Sequence, residues 1–176
     1  DRVMSNQNVM KELDEALSRI RKTVTLKPRA ALVLGSGLGD LANRFENRQV
    51  IPFSDIPGFP HAKVAGHAGN LVFGKLGGLP VVAMQGRVHF YEGHPMSKVV
   101  FGIRLMRQLG AHTLITSNAV GSVNKSFRVG DLMLIEDHIN FLADHPLRGS
   151  NIDELGTRFY DMSNAYDEGL RKIAKR

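Results

Sequence analysis

An apolar run passes directly into a polar loop between residues 79 and 93 of this chain. Residues 79–84 (LPVVAM) have the continuous apolar pattern of a buried strand, and the following residues 85–93 (QGRVHFYEG) form a loop that contains a glycine near each end. Sheets covered by helices place ligand chemistry where such strands end. The loop carries a guanidinium at Arg87 and an imidazole at His89, two donors suited to an oxyanion. A solvated loop without function is the alternative.

Two further apolar runs end in loops of glycine and small residues. Residues 29–34 (RAALVL) lead into residues 35–40 (GSGLGD), and residues 113–116 (TLIT) lead into residues 117–122 (SNAVGS). Backbone N–H groups at a strand-to-helix turn can bind an anion, with Ser36 as a hydroxyl donor. A tight turn that needs glycine for backbone reasons explains residues 35–40 equally well. The loop is no dinucleotide fingerprint, because Asp40 stands where a third glycine is required.

The order of these segments predicts an α/β fold, with one domain over residues 1–176 and a central mixed β-sheet flanked by helices. Apolar spacing and breaker residues place helices at residues 8–23, 38–45 and 95–110 and from Ser163 onward. Strands are predicted at residues 29–34, 49–53, 71–74, 79–84, 113–116 and 131–136, with a hairpin turn at Gly77 and Gly78. Residues 141–158 are predicted to form a long polar loop.

Composition narrows the function classes. The chain has no Cys, which excludes disulfides and thiolate chemistry. No apolar run approaches membrane-spanning length, and residues 1–10 lack the apolar centre of a signal peptide, so a cytoplasmic protein is expected. The net charge of +6 could attract nucleic acid, but the basic residues of segments 19–29 and 171–176 are not interleaved with aromatics. Solvated helix faces explain them better.

Four stretches taken together resemble trimeric purine nucleoside phosphorylase. They are residues 35–39 (GSGLG), residues 57–60 (PGFP) with 66–69 (GHAG), residues 85–93 (QGRVHFYEG) and residues 117–122 (SNAVGS). Residues 137–140 (DHIN) and 146–149 (PLRG) also fit this family in order. The pattern Gly-Arg-x-His-x-Tyr-Glu-Gly in the third stretch is specific, and it differs from the corresponding loop of methylthioadenosine phosphorylase. The resemblance implies a phosphorylase/hydrolase-like fold.

The resemblance implies reversible phosphorolysis of 6-oxopurine nucleosides to free base and ribose 1-phosphate, with inorganic phosphate as co-substrate and neither metal nor redox cofactor. It assigns phosphate binding to six positions and the catalytic role to His89; the six are Ser36, His67, Arg87, Val88 through its backbone, His89 and the backbone of Ala119. Tyr91 would contact the ribose, and Phe159 would reach the site of a neighbouring subunit in a homotrimer.

Two departures from the family pattern bear on these expectations. The family's purine-recognising Glu and Asn, a further phosphate-binding Ser and a ribose-contacting His belong to a C-terminal portion that is absent from these 176 residues, so the domain is expected to be incomplete. An inactive phosphate- or nucleoside-binding fragment is therefore one alternative, and a phosphorylase of the methylthioadenosine type is another. Val120 and Ser122 also stand where the family commonly has Ala and Gly.

Overall fold

Five strands of this protein form one mixed sheet. The computed structural model describes residues 6–60 and 69–175. The strands are β1 (Ala30–Leu34), β2 (Glu46–Pro52), β3 (Asn70–Leu76), β4 (Leu79–Gln85) and β5 (Thr113–Thr116), in the spatial order β2-β3-β4-β1-β5. The helices are α1 (Asn6–Arg21), α2 (Met96–Val99), α3 (Phe101–Gln108) and α4 (Glu168–Ala174). Short 3₁₀ helices cover Gly39–Arg44, Phe53–Asp55, Phe90–Glu92 and Asp153–Leu155.

The pairing pattern confirms the predicted α/β class. Strand β1 pairs in parallel with both β4 and β5, whereas β3 pairs antiparallel with β2 and β4. All five residues of β1 are buried, as its continuous apolar run predicts for a central parallel strand. Gly77 and Gly78 have φ of 57° and 77° and form the predicted turn between β3 and β4, a conformation that favours glycine.

The chain divides into two units, residues 1–119 and residues 120–176. The first unit holds the sheet, α1, α2 and α3, and it contains the largest fully buried side chains, among them Leu13, Leu71, Phe73 and Leu105. The expectation that all 176 residues form one domain stays a prediction. In the parts of the chain that the structure describes, no helix has the length and apolarity needed to cross a bilayer.

The helix predicted over residues 95–110 is divided at Val100, between α2 and α3. Val100 has φ −91° and ψ −1°, which interrupts the regular helical repeat. The buried side chains after the break include Phe101, Leu105 and Met106, whereas Ile103, which an unbroken helical spacing places beside Met106 in the core, is exposed. A helical spacing counted through the break therefore places Met106 correctly and Ile103 wrongly.

Two predictions for the second unit are wrong. Residues 131–136 form no strand, because a strand needs backbone hydrogen bonds from a neighbour and none of the described residues supplies them. The last helix begins at Glu168, with Asp167 accepting a 2.8 Å hydrogen bond from the Leu170 N–H as its N-cap. Ser163, the predicted cap, instead donates its N–H to Asp161 Oδ1 over 2.8 Å. Its hydrogen bonds lower the pKa of Asp161.

Side chains in and beside α4 contact residues 136–138 within the second unit. Lys175 Nζ donates to Glu136 Oε1 over 2.6 Å, and Arg171 lies 3.5 Å from the same oxygen. The hydrogen bond from Lys175, and then the two positive charges, lower the pKa of the Glu136 carboxyl. Tyr166 hydrogen-bonds to His138, and burial followed by the nearby charge of Asp137 raises the pKa of Tyr166.

An ion pair joins α1 to α2 in the first unit, and we expect it to stabilise that unit. Lys98 Nζ lies 2.6 Å from Glu12 Oε2 and donates to the Gly58 carbonyl over 3.0 Å, with both charged side chains partly buried. Replacing Glu12 by Gln should lower the free energy of unfolding by about 1 kcal/mol, since the neutral amide loses the charge-assisted bond. Urea unfolding followed by circular dichroism measures this change.

The pair between Lys11 and Glu15 gives a matched control on the same helix. Its nitrogen–oxygen distance is 4.0 Å and both side chains are more than half exposed. Glu15→Gln should therefore change the free energy of unfolding by less than about 0.3 kcal/mol. Equal losses in the two variants would show that the Glu12 pair contributes nothing beyond the general charge of α1.

Candidate active site at the carboxyl edge of the sheet

Three strands end at one edge of the sheet. In the parallel registers, Leu34 of β1 aligns with Gln85 of β4, and Val33 aligns with Thr116 of β5. The first residue of β3, Asn70, pairs with Gln85 and so lies at the same edge. The loops that follow β1, β4 and β5 therefore begin side by side, as their apolar runs predicted.

The loops after β1 and β5 are joined by the side chain of Ser117. The Gly35 N–H donates to Ser117 Oγ over 3.0 Å, and Ser117 Oγ donates to the Val33 carbonyl over 3.1 Å. The backbone N–H of Ser117 also donates to the Val33 carbonyl, over 3.0 Å. A Cβ on Gly35 would lie 2.5 Å from the Ser117 carbonyl oxygen and 2.8 Å from Asn118 Cα. Only glycine permits this approach.

Arg87 reaches the same residue from the loop after β4. Its Nη1 donates to the Ser117 carbonyl over 2.9 Å, and the guanidinium is only partly buried. Gly86, with φ 96°, turns the chain after β4 into this loop, a conformation that favours glycine. The structure thus brings Arg87 to the start of the β5 loop, another of the strand-end loops that the sequence singles out. The adjacent Val88 is buried as a whole residue, at 4% exposure, and its binding of phosphate through the backbone stays a prediction.

His89 is held by a carboxylate three residues later. Its Nδ1 lies 2.9 Å from Glu92 Oε1, and its backbone N–H donates to that oxygen over 2.7 Å. The Glu92 side chain is 3% exposed, whereas that of His89 is 21% exposed. A carboxylate is only an acceptor, so the proton on Nδ1 is directed to Glu92 and the ring orientation is set. The Tyr91 ring stacks on the His89 ring at 4.8 Å, and Tyr91 is 75% exposed.

The glycine loop after β1 is held by a side-chain amide. Gln85 Nε2 donates to the Gly39 carbonyl over 3.1 Å, and Gln85 Oε1 accepts from Asn70 Nδ2 over 3.2 Å. Inside the loop, the Leu38 N–H donates to the Gly35 carbonyl over 3.1 Å. The turn leaves Ser36 exposed, followed by a 3₁₀ helix where an α-helix over residues 38–45 was predicted. Ser36 is accordingly accessible to a ligand.

Three predicted site residues remain, Ala119, His67 and Phe159. Ala119 is exposed and follows β5 by three residues. His67 lies outside the described residues. Phe159 belongs to the second unit and is 86% exposed, and its role at a neighbouring site stays a prediction.

Sequence reasoning missed three contributors, which are Ser117, Gln85 and Glu92. Gln85 and Glu92 lie inside the quoted loop 85–93, and Ser117 is the first residue of the quoted loop 117–122. Their positions at or just after the ends of strands could have marked these residues as candidates. A pattern of residue types, however, does not show which atoms contact each other. Among the described residues no cluster of three or more His, Cys, Asp or Glu side chains could hold a metal ion.

Comparison with known proteins decides the family. The sequence model of the Phosphorylase superfamily matches residues 29–176. The chain belongs to the phosphorylase superfamily. It is 50% identical to purine nucleoside phosphorylase 1 of Bacillus subtilis over 164 residues, which are 93% of this chain and 60% of that protein. It is 45% identical to purine nucleoside phosphorylase of Bos taurus over 174 residues, covering 97% of this chain and 60% of that protein.

Solved structures agree with the sequence match. Isoform 2 of purine nucleoside phosphorylase from Schistosoma mansoni, in complex with cytosine and ribose-1-phosphate, is similar with a TM-score of 0.86 and 43% identity, covering 93% of this chain and 59% of that one. The resemblance to purine nucleoside phosphorylases and the α/β fold of the phosphorylase superfamily are confirmed. This superfamily member spans about 60% of the length of the curated relatives it matches.

Proposed function

We propose that the protein containing this chain cleaves 6-oxopurine nucleosides with inorganic phosphate, reversibly, to free base and ribose 1-phosphate. The supporting observation is the junction at Ser117, where the Arg87 guanidinium and the loop carrying Ser36 meet at one strand edge. A guanidinium, a hydroxyl and backbone N–H groups are donors suited to a phosphate dianion. The identities of 43–50% with purine nucleoside phosphorylases support the same reaction.

The reaction exchanges one bond for another at the anomeric carbon of the sugar. A phosphate oxygen forms the new C–O bond, the C–N bond to the purine breaks, and the base leaves with the electron pair and takes up a proton. The transition state is an oxocarbenium-like sugar, so a phosphate held directly beneath it is both nucleophile and electrostatic stabiliser. Arg87, Ser36 and the backbone at Ala119 would hold that phosphate, with His67 and the backbone of Val88 as further proposed donors.

His89 would act on the phosphate through its second ring nitrogen. Glu92 accepts a hydrogen bond from Nδ1. We assign Nε2 to the phosphate, as a donor in the imidazolium form or as an acceptor from a protonated phosphate oxygen. Tyr91, stacked on the imidazole and largely exposed, would contact the ribose. Chemistry of this type needs neither a metal nor a redox cofactor. A homotrimer in which Phe159 contributes to a neighbouring site, and a cytoplasmic location, complete the proposal.

The assay for the proposed function follows inosine with the natural full-length polypeptide that contains these residues. Hypoxanthine should form only when phosphate is present, with ribose 1-phosphate released in equal amount. Guanosine should be accepted as well, and methylthioadenosine should be a poor substrate. Phosphate-independent turnover, or no turnover of either 6-oxopurine nucleoside, would contradict the proposal.

Replacing Glu92 by Gln tests how far the carboxylate supports His89. The amide keeps the size of the side chain but loses the charge that accepts two hydrogen bonds from His89. We expect kcat/KM for phosphorolysis to fall about tenfold, the scale of one charge-assisted hydrogen bond. Glu46→Gln, an exposed carboxylate on β2, is the control and should leave kcat/KM unchanged. A Glu92 variant as active as wild type would show that the imidazole needs no carboxylate.

A further inference from the structure

Ser117 is the one described residue that hydrogen-bonds both to the loop after β1 and to Arg87 of the loop after β4. Its hydroxyl oxygen lies 3.0 Å from the Gly35 nitrogen and 3.1 Å from the Val33 oxygen, and its carbonyl lies 2.9 Å from Arg87 Nη1. The Ser117 hydroxyl accepts from the Gly35 N–H and donates to the Val33 carbonyl at the same time. A hydroxyl group can do both because it carries one donor and two acceptor lone pairs. Arg87 contacts the backbone carbonyl oxygen of Ser117 and Gly35 contacts its Oγ, so the two hydrogen bonds do not compete.

The hydroxyl continues the β1–β5 ladder beyond the end of the strands. The last aligned pair of that ladder is Val33 and Thr116, and the Ser117 N–H still donates to the Val33 carbonyl. From Gly35 onward the chain turns away, and its N–H then finds Ser117 Oγ in place of a strand carbonyl. Without the hydroxyl, this N–H would lose its partner in a part-buried position, which costs free energy unless the loop shifts.

We propose that Ser117 is a positioning residue. It fixes the position of the glycine loop (residues 35–40) relative to Arg87, so that both can donate to one phosphate. The inference rests on the proposed function, because the two segments it joins are the proposed phosphate donors. Ser36 follows Gly35 directly, so any displacement of the Gly35 N–H also displaces the Ser36 hydroxyl and its neighbouring backbone donors. Movement of the Ser117 backbone would also change the distance to the Arg87 guanidinium.

A positioning role predicts a selective effect on phosphate binding, which a general loss of stability would not produce. Phosphate binding should weaken when the hydroxyl is removed, while nucleoside binding and the bond-breaking step should change little. In Ser117→Ala we expect the KM for phosphate to rise about tenfold, with kcat within about threefold and the KM for inosine within about twofold of wild type. Ser117→Thr keeps a hydroxyl on the same carbon and should restore the KM for phosphate to within about twofold of wild type.

The experiment compares four variants of the natural full-length polypeptide, with inorganic phosphate and inosine as the varied substrates. Ser117→Val has the shape of Thr without its hydroxyl and should behave like Ser117→Ala. Ser54→Ala removes an exposed hydroxyl that donates to Asp55 Oδ1 over 3.2 Å, and it should change neither the KM for phosphate nor the KM for inosine. The amide hydrogen exchange of Gly35, read by NMR, supplies a measurement that needs no activity. It should quicken about tenfold in Ser117→Ala and not in Ser117→Thr.

The outcomes separate the positioning role from the proposed reaction. A KM for phosphate within twofold of wild type in both Ser117→Ala and Ser117→Val would overturn the inference, as would equal losses in Ser117→Thr and Ser117→Val. If wild-type protein shows no phosphate-dependent cleavage of inosine, the proposed function fails. The amide hydrogen exchange of Gly35 then decides whether Ser117 positions the loop. Unchanged exchange in Ser117→Ala overturns the inference, and faster exchange that Thr reverses supports it.

Discussion

Replacing Arg87 by alanine is expected to raise the KM for phosphate about 100-fold. The guanidinium supplies a permanent positive charge and several N–H donors, and a charge-assisted contact of this kind contributes about 1.5–3 kcal/mol. In the structure one of its nitrogens is held by the Ser117 carbonyl over 2.9 Å, which fixes the side chain at the strand edge. Initial rates of inosine cleavage over a range of phosphate concentrations measure the effect.

Two variants accompany this measurement. Arg87→Lys keeps the charge but loses the planar set of donors, so its KM for phosphate should lie between those of wild type and Arg87→Ala. Arg48→Ala removes an exposed guanidinium that hydrogen-bonds to Asn43, and it should leave phosphate kinetics unchanged. If Arg87→Ala and Arg87→Lys both show the wild-type KM for phosphate, the assignment of Arg87 to the phosphate is wrong.

Replacing Gly35 by alanine is expected to lower the free energy of unfolding by about 3 kcal/mol, the upper range for an overpacked site. The new Cβ would lie 2.5 Å from the Ser117 carbonyl oxygen and 2.8 Å from Asn118 Cα. Both atoms belong to the backbone, which cannot move aside as the end of a side chain can. The β5 loop would have to shift, and the hydrogen bonds of Ser117 to Gly35 and Arg87 would shift with it. The rate of phosphorolysis should therefore fall together with the free energy of unfolding in Gly35→Ala.

Gly39→Ala is the matched control, because it lies in the same loop. Among the residues that the structure describes, a Cβ there meets Gln85 alone, at the ordinary contact distance of 3.6 Å. Its free energy of unfolding should change by less than about 0.5 kcal/mol, as judged by urea unfolding of both variants under one set of conditions. A Gly35 variant as stable as the Gly39 variant would show that the close approach of the two loops is not needed for folding.

Three residues of the candidate site could be predicted because each lies in a loop that follows an apolar run. Arg87 and His89 could be proposed because they follow an apolar run, and the end of a central strand is a place where ligands bind in α/β proteins. Ser36 could be proposed because glycines surround it after another such run. The confirmed sheet shows that these runs are neighbours in the order β4-β1-β5. That order brings the three loops to one edge.

Glu92 and Ser117 show what the pattern could not reveal. A carboxylate three residues after His89 can point to solvent or turn back, and only the folded loop shows it buried at 3% exposure against Nδ1. Ser117 lies 30 residues from Arg87 and 82 residues from Gly35, so their hydrogen bonds depend on strand pairing alone. The same limit explains the error at residues 131–136, whose apolar character predicts a strand but provides no partner for it.

The amino-acid sequence by itself determined the buried strands, the hairpin at Gly77 and Gly78, and the loops that carry the proposed phosphate donors. These follow from local chemistry, since apolar runs favour burial and glycine permits conformations closed to other residues. Tertiary structure alone decided which atoms of those loops meet, which partner holds His89, and where the helix after Pro95 breaks. Such contacts join residues far apart in the chain, and their geometry is set by strand register and packing that no local pattern records.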